Sequence, residues 1–326
     1  RKLYNNQNIK KTKLKGEAMD LKHLVSGTDI RGIVSEVEGK KVTLTEKEVE
    51  FIGKAFGNWI TKKYGRKSEL ENRKIKVSVG YDARHTGPKF SKILRDVLKS
   101  MEIDVYDCQM AITPSLFMTT IFEDYKADGA IMITASHLPS CYNGLKFFTT
   151  EGGLEKTDVV EMLEMGNKKA CQCEANLKEA LKIEEKKGRS YTKNLAEDYA
   201  AYTCEFIRKE TGEEKPLKDL KIVIDAGNGA AGFFADKVIE ELGGNSEGSQ
   251  FLNPDGDFPN HVPNPEAKEA IESIKKAVLD NNADFGIIFD ADGDRSAFID
   301  NTGREINRNN LIALLSDILL KQTPGA

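Results

Sequence analysis

Short apolar runs of β type alternate with amphipathic helical patterns along most of this 326-residue chain. In the first half, KIKVSV and IDVYDC enclose the helical pattern PKFSKILRDVLKSM, in which Pro88 suits a first helical position. The pattern TPSLFMTTIFEDY then leads into the apolar run DGAIMIT, which completes a β-α-β-α-β order. Such alternation predicts parallel sheets covered by helices, with ligand chemistry at the carboxyl ends of the strands.

The same alternation restarts in the second half of the chain. A charge-rich helical stretch from Val159 to Lys187 comes first, and KIVID then leads into a glycine-rich turn and the helical pattern FFADKVIEEL. A loop rich in Pro, Asn and Gly spans 253–265, and AKEAIESIKKAVLDN and the strand DFGIIF close the series. We therefore predict an α/β fold of consecutive βαβ-type domains, with mixed, mostly parallel sheets covered by helices.

Length indicates about two domains, because domains commonly hold about 150 residues. We expect a basic N-terminal extension at 1–19, a first domain at 20–188, a second at 189–304, and at 305–326 the first helix of a truncated third. The opening residues lack an initiator methionine and the apolar core of a secretory signal, which makes Met19 a candidate start. The apolar run LIALLSDILL stands close to the last residue, and we expect its packing partners to lie beyond it.

Composition narrows the classes of protein that the chain can belong to. A hydrophobic content of 39%, a charged content of 31% and 9 prolines are typical of soluble globular proteins and exclude collagen-like, mucin-like and disordered chains. No segment approaches the ~20 uncharged apolar residues that a membrane-spanning helix needs. The formal charge of −4 gives no global reason to bind nucleic acid or an anionic membrane, so any phosphate site must be local.

The five cysteines are few, odd in number and scattered. This usage indicates a reducing compartment, and we expect a cytoplasmic protein. Cys171 and Cys173 could share a metal ion, but no matching Cys/His pair lies nearby in the sequence.

The sequence DADGDR, from Asp290 to Arg295, places three carboxylates at alternate positions directly after an apolar strand. They must emerge together on a loop, where their repulsion is costly unless a cation compensates it. All-oxygen ligation suits magnesium or calcium. An EF-hand does not fit, because Arg295 stands where its sixth position needs Gly and Asn301 where its twelfth needs Glu. A solvated acidic turn is the alternative.

A second candidate site, TASHLPSCYNGLKFF, begins where DGAIMIT ends. Ser136 stands at the tip of the strand with His137 beside it and Lys146 ten residues further on, and Asn143-Gly144 predicts a tight turn between them. The serine could be a nucleophile or a phosphate carrier with a base or cation nearby. A hairpin that carries a histidine by chance is the alternative. A lipase-type nucleophile elbow is excluded, because no glycine flanks Ser136 at the required offsets.

Two turns each set an arginine among glycines, which is a common way to bring a guanidinium and backbone N–H groups to a phosphate. They are GTDIRG, with Arg31, and GYDARHTGP, with Arg84, which we take as a candidate substrate-binding residue. Arginines in surface turns without such a role are also common.

The sequence GNGAAG, from Gly227 to Gly232, matches the dinucleotide-binding fingerprint literally. That fingerprint also needs an acidic residue at the end of the next strand, and the region offers only Glu247 in a poor strand context. A tight strand-to-helix turn is therefore the favoured interpretation.

These stretches, in this order, resemble motifs of the α-D-phosphohexomutases, specifically of the phosphomannomutase/phosphoglucomutase branch. GTDIRG is similar to the opening motif of that family, TASHLPSCYNGLK to its phosphoserine loop and DADGDR to its metal loop. DAGNGAAG and NPDGDFPNHVPNPE resemble signatures of its second domain. The resemblance runs from about Leu24 to the end of the chain. It implies an isomerase that interconverts mannose or glucose 1-phosphate and 6-phosphate through a phosphoserine.

The resemblance also implies roles for individual residues. Ser136 would carry the transferable phosphoryl group, and a hexose 1,6-bisphosphate would be the intermediate and activator. A phosphate oxygen on Ser136 would hold Mg²⁺ together with Asp290, Asp292 and Asp294. The other implied catalytic or substrate-binding groups are His137, Lys146, Arg31 and Arg295. Small sugar phosphates would be the partners, with no nucleic acid or membrane; the oligomeric state is not implied.

Departures from the family pattern and alternative functions limit these expectations. Leu138 stands where the family usually has Asn, and Ala291 where Gly is common. GTDIRG is shorter than the form typical of phosphoglucosamine mutases, so we expect a hexose rather than an amino sugar, and the loops that select the sugar have no counterpart in the chain. A phosphoglucosamine mutase, a phosphatase of the haloacid dehalogenase type and a non-catalytic fragment that binds sugar phosphate are the alternatives.

Overall fold

The computed structural model of the protein describes residues 19–37, 39–167 and 187–325, and its strands form two sheets. The strands of the first sheet are β1 (Val25–Ser26), β2 (Asp29–Ile33), β3 (Lys76–Tyr81), β4 (Asp104–Met110), β5 (Gly129–Ile133), β6 (Tyr142–Thr149), β7 (Gly152–Gly153) and β8 (Ser190–Thr192). They lie in the order β1-β2-β6-β5-β3-β4-β8, and β7 pairs with β6 beside that path. The second sheet contains β9 (Ile222–Asp225), β10 (Phe285–Phe289) and β11 (Ser296–Asp300), with β10 in the middle.

Helices of very different length connect these strands. The α-helices of the described ranges are α1 (Glu46–Leu70), α2 (Gly87–Ser100), α3 (Thr113–Met118), α4 (Lys156–Gly166), α5 (Leu195–Thr211), α6 (Lys268–Asp280) and α7 (Arg308–Gln322). A capping box between Thr45 and Glu48 starts α1, and Pro88 lies in the first turn of α2 as predicted. In the described part of the chain, no helix is long and apolar enough to cross a membrane.

Parallel and antiparallel pairs occur in both sheets. In the first sheet, β3 pairs in parallel with β4 and β5, and β4 pairs in parallel with β8. In the second, β9 and β10 are parallel, whereas β10 and β11 form an antiparallel hairpin. The predicted α/β fold is confirmed. β8 follows the domain boundary drawn at residue 188 but pairs with a strand of the first sheet.

Two predicted helices differ from the observed ones. The helix expected over TPSLFMTTIFEDY ends at Met118, because the hydroxyls of Thr119 and Thr120 donate to carbonyl oxygens three residues back and compete with helix continuation. The helix expected over FFADKVIEEL is a 3₁₀ turn at Ala230–Phe233 followed by a π-helix at Ala235–Glu240.

The charge-rich helix predicted from Val159 to Lys187 is observed only over α4. Residues 168–186, which include Cys171 and Cys173, lie outside the described residues. The disfavoured alternative that these two cysteines share a metal ion therefore stays untested.

Candidate active site

Two loops meet where strands of the two sheets end. We name residues 134–141, between β5 and β6, the serine loop, and residues 290–295, between β10 and β11, the carboxylate loop. The Ser136 hydroxyl donates to Asp290 Oδ2 at 2.8 Å, and both side chains are buried. The serine loop and the carboxylate loop therefore lie together at one site.

The serine loop holds Ser136 in a strained backbone conformation. Its φ is +54°, in the left-handed region that residues other than glycine seldom adopt. Its N–H donates to Thr134 Oγ1 at 2.8 Å, and the Thr134 hydroxyl donates to Asp82 Oδ2 at 2.8 Å. These bonds fix the serine relative to the end of β3.

Arg84 lies beneath the serine loop and fastens it. Its guanidinium is 1% exposed and donates to four carbonyl oxygens of this region, those of Ser136 (2.6 Å), Leu138 (2.6 Å), Pro139 (2.8 Å) and Tyr142 (2.9 Å). Its Nε donates to Asp82 Oδ2 at 3.1 Å. Every N–H of the guanidinium thus has a partner in this arrangement. A substrate-binding role for Arg84 stays a prediction, and these contacts favour a role in shaping the loop.

The tight turn predicted at Asn143-Gly144 is wrong, because both residues lie inside β6. A methyl group added at Gly144 would overlap the carbonyl oxygen of Ile30 and lie 2.8 Å from that of Thr134. The glycine therefore permits close approach of three neighbouring strands, and the chain reverses within the serine loop instead.

The carboxylates of Asp290, Asp292 and Asp294 offer oxygens that all lie within 4.8 Å of one another. Asp290 and Asp292 are fully buried. Asp290 Oδ1 accepts the N–H groups of Asp294 and Arg295, each at 3.1 Å. Asp292 Oδ1 is buried with no hydrogen-bond partner among the described residues. A buried carboxylate oxygen without a donor is costly, and a hard divalent cation would satisfy it, so the residues fit Mg²⁺.

The electrostatics of the carboxylate loop agree with that fit. Burial, followed by the charges of Asp292 and Asp294, raises the pKa of Asp290 to about 8. Burial also acts to raise the pKa of Asp292, but the Lys146 ammonium and the Thr113 hydroxyl outweigh it and lower that pKa. The charges of Asp292 and Asp294 thus oppose ionisation of Asp290, and a bound cation would relieve that repulsion.

Lys146 supplies one such cation. Its ammonium is largely buried and donates to Asp292 Oδ2 at 2.9 Å and to Asp294 Oδ2 at 2.5 Å. Burial alone would lower its pKa, but the charges of Asp292 and Asp294 dominate and raise it, so the group stays protonated. A cavity of about 240 Å³ adjoins it, lined also by Asp29, Thr113 and Asp294.

Arg295 supplies a second cation. Its Nη2 contacts both Ser136 Oγ and His137 Nδ1, and its Nε donates to Asp290 Oδ2 at 3.1 Å. Partial burial, with the charges of Arg295 and Arg31, lowers the pKa of His137. His137 is therefore neutral near pH 7, and its Nδ1 accepts from the guanidinium.

Arg31 lies in β2 itself, in register with Gly144 of β6. Its Nη2 donates to Asp29 Oδ2 at 2.8 Å, whereas its buried Nε has no partner among the described residues. The structure thus gathers Ser136, His137, Lys146 and Arg295 around the carboxylate loop. Arg31 borders this group, and its charge reaches His137.

Sequence reasoning missed Thr113. This residue starts α3, and its hydroxyl donates to Asp292 Oδ2 at 2.5 Å while its N–H donates to the Asp292 carbonyl at 2.7 Å. Its position after β4 is a usable signal, because the carboxyl ends of parallel strands share one edge of a sheet.

The glycine-rich turn at Gly227–Gly232 supports the carboxylate loop from the other side. The N–H of Ala230 donates to the Ala291 carbonyl at 2.9 Å, and a methyl group at Gly229 would lie 2.7 Å from Ala291 Cα. The glycine therefore permits close backbone packing, which agrees with the interpretation as a tight turn.

Comparisons with known proteins identify the family to which the chain belongs. The chain matches the phosphoglucomutase/phosphomannomutase alpha/beta/alpha domain I over residues 22–170 and domain II over residues 190–303. It is 30% identical over 298 residues to a phosphomannomutase/phosphoglucomutase of Pseudomonas putida, covering 91% of this chain and 56% of that protein. It is 29% identical to a phosphoglucomutase of Neisseria meningitidis over the same length, covering 57% of that protein.

Solved structures give the same result. A phosphoglucomutase/phosphomannomutase family protein from Burkholderia thailandensis superposes with a TM-score of 0.67 at 27% identity, covering 92% of this chain and 59% of that one. A putative phosphomannomutase from Thermus thermophilus, at 20% identity and a TM-score of 0.68, shares the fold and covers 92% and 62%. The chain belongs to the phosphoglucomutase/phosphomannomutase family of α-D-phosphohexomutases. It spans little more than half the length of the curated relatives that it matches.

Proposed function

We propose that the chain carries out phosphoryl transfer between Ser136 and a hexose phosphate, as part of the interconversion of hexose 1-phosphate and 6-phosphate. The hydrogen bond from Ser136 Oγ to Asp290 Oδ2 carries this proposal. It places a strained serine hydroxyl at a cluster of carboxylates, with the cations of Arg295 and Lys146 beside it. Mannose and glucose phosphates are the proposed substrates, and a hexose 1,6-bisphosphate is the proposed intermediate.

The chemistry balances with groups of this chain. A sugar hydroxyl attacks the phosphorus of phosphorylated Ser136 and gives up its proton, the Oγ–P bond breaks, and Ser136 Oγ takes up a proton to become a hydroxyl. When the bisphosphate returns its other phosphoryl group, the proton leaves Ser136 Oγ and a sugar hydroxyl re-forms. Arg31, Lys146 and Arg295 neutralise the negative charge on the transferring group. Neutral His137, whose Nδ1 accepts from Arg295, carries its proton on Nε2 and can donate it beside the serine.

A magnesium ion would be held by Asp290, Asp292, Asp294 and an oxygen of the phosphorylated Ser136. When bound, such an ion withdraws charge from the phosphoryl oxygens and so favours transfer. The buried Asp292 Oδ1 without a donor supports this ligand set.

We also propose the domain division drawn from the sequence, at 20–188 and 189–304 with a third region from 305. The two family matches end and begin near that boundary, which supports it. Location in the cytoplasm and the absence of nucleic-acid and membrane partners stay predictions.

Phosphate mapping tests the function. The purified chain is incubated with Mg²⁺ and glucose 1,6-bisphosphate labelled in both phosphates, and labelled peptides are identified by mass spectrometry. We expect an acid-stable phosphate on Ser136, and none on the Ser136→Ala variant, which should melt at nearly the same temperature. A transient, acid-labile phosphate on an aspartate would favour the phosphatase alternative. Binding of the sugar phosphate without any transfer would favour the non-catalytic one.

A further inference from the structure

We propose that Lys146 is a tethered cation that competes with the divalent ion for Asp292 and Asp294, so that ion binding releases its ammonium into the adjacent cavity lined by Asp29 and Thr28. This inference depends on the proposed function. It adds that binding of the divalent ion by the carboxylates determines the position of the Lys146 ammonium.

The contacts of the ammonium carry the first step. Lys146 Nζ touches Asp292 Oδ2 and Asp294 Oδ2, two of the three carboxylates that the ion would use. A divalent ion bound to the same carboxylates lies close to the ammonium and repels it. The two cations therefore oppose each other at this site.

The second step is that Lys146 is held by fewer groups than Arg295. Arg295 is held by Asp290, Ser136 and His137. The hydrogen bonds of the Lys146 ammonium go only to Asp292 and Asp294 among the described residues. Its flexible stem can reorient, whereas the planar guanidinium is fixed by several partners at once.

The third step is that the structure has room for the displaced ammonium. The cavity of about 240 Å³ beside Lys146 is also lined by Asp29 and Thr28. The ammonium can turn away from Asp292 there while it keeps a carboxylate and a hydroxyl within the same cavity. Burial of an unpaired ammonium is thereby avoided.

Ion binding to charge variants of the intact chain tests the proposal. Mg²⁺ titration calorimetry is performed on the parent and on Lys146→Met, which keeps the length of the stem and removes the charge. Lys62→Met is the matched control, because Lys62 is exposed and pairs with Glu161 at 2.7 Å away from the site. We expect the Mg²⁺ dissociation constant of Lys146→Met to fall about tenfold or more and that of the control to stay unchanged. Lys146→Arg, which retains the charge, should not bind Mg²⁺ more tightly than the parent.

A measurement on the parent alone covers the case in which Lys146→Met fails to fold. Brief acetylation with and without Mg²⁺, read by mass spectrometry, should show faster modification of Lys146 with the ion, and no change at Lys62. If Lys146→Met binds Mg²⁺ no more tightly than the parent, or if the ion does not change Lys146 acetylation, the competition is refuted. If the parent binds no Mg²⁺, the metal assignment in the proposed function fails and this inference fails with it. A bound ion together with unlabelled Ser136 overturns the transfer function alone.

Discussion

Arg84 shows how one buried side chain can determine the shape of a reactive loop. Its five N–H groups donate to four backbone carbonyls and the Asp82 carboxylate. These bonds hold the serine loop in the conformation in which Ser136 has a positive φ. The planar guanidinium of an arginine can make such a set of contacts, whereas the single ammonium of a lysine cannot.

We therefore predict that Arg84→Lys slows phosphate acceptance by Ser136 by about 100-fold and lowers the melting temperature by several degrees. The loss follows from backbone carbonyls left without donors and from relaxation of the loop. The rate of Ser136 labelling from the bisphosphate and thermal melting measure the two effects. Arg66→Lys, on the exposed surface of α1, is the control and should change neither. If Arg84→Lys is labelled at the parental rate, the conformation of the serine loop does not depend on the Arg84 guanidinium.

His261 forms a buried ion pair in the second sheet region. Its Nε2 lies 3.1 Å from both oxygens of Asp225, and its Nδ1 lies 2.9 Å from the Val262 carbonyl. Both ring nitrogens face acceptors, which favours the doubly protonated ring. Burial acts to lower the pKa of His261, but Asp225, with smaller contributions from the Val262 carbonyl and Glu269, raises it overall.

This raised pKa predicts the sign of a pH effect. The stabilisation is complete below the unfolded pKa of about 6.5 and is lost as the pH rises through the higher folded pKa. We expect the melting temperature to fall across that range in the parent and to depend less on pH in His261→Gln. His23→Gln, at an exposed position, should keep the parental slope. Equal slopes for all three proteins would contradict the ion pair.

At the level of elements, most of the parallel framework could be predicted from the sequence. Apolar runs such as DGAIMIT form buried strands, because a strand within a parallel sheet covered by helices is buried on both faces. The predictions that were wrong, for the length of α3 and for a turn at Gly144, each have a specific cause. The hydroxyls of Thr119 and Thr120 end α3 early, and Gly144 is a strand glycine whose neighbours come from β2 and from the end of β5. Because these contacts of Gly144 are made with other strands, the residues beside it in the sequence do not indicate them.

Gly144 therefore predicts an unusually costly substitution. Gly144→Ala should lower the free energy of unfolding by about 2–4 kcal/mol, because the added methyl must push apart backbone segments rather than flexible side chains. Urea denaturation followed by circular dichroism measures the change. Gly65→Ala, in the middle of α1 with its nearest neighbour at 3.6 Å, is the control, and it should raise stability by about 0.5–1 kcal/mol. A neutral effect of Gly144→Ala would mean that β2 and β6 can separate without cost.

At the scale of the whole molecule, the site exists only because the two sheets meet. Ser136 and Asp290 are 154 positions apart, and Thr113 and Asp292 are 179 positions apart. Motifs and strand ends predicted which loops hold the candidate site residues. They could not predict that Lys146 would bridge two of the carboxylates, because that contact depends on the packing of the sheets against each other.

Thr113 offers a test of this packing, because it donates from the first sheet region to a carboxylate of the second. Thr113→Val keeps the shape and the backbone bond to the Asp292 carbonyl but removes the hydroxyl donor to Asp292 Oδ2. Among the described residues, the carboxylate then keeps the Lys146 ammonium as its hydrogen-bond donor. We expect the free energy of unfolding to fall by about 1–2 kcal/mol.

The control for this change is Thr120→Val, which also removes a largely buried hydroxyl, but one that donates to the Phe117 carbonyl of its own segment rather than to the second sheet. It should cost much less than Thr113→Val, and Thr113→Ser should restore most of the loss because it returns the donor. Urea denaturation is followed by the fluorescence of Trp59, which is buried in one hydrophobic cluster with residues of β3 and β5, and by circular dichroism of the whole chain. In the parent, the unfolding transitions seen by fluorescence and by circular dichroism should coincide. Since the Thr113 hydroxyl joins the two sheets, these two transitions should separate in Thr113→Val. If Thr113→Val and Thr120→Val lose the same stability with coincident transitions, the bond to Asp292 does not couple the sheets.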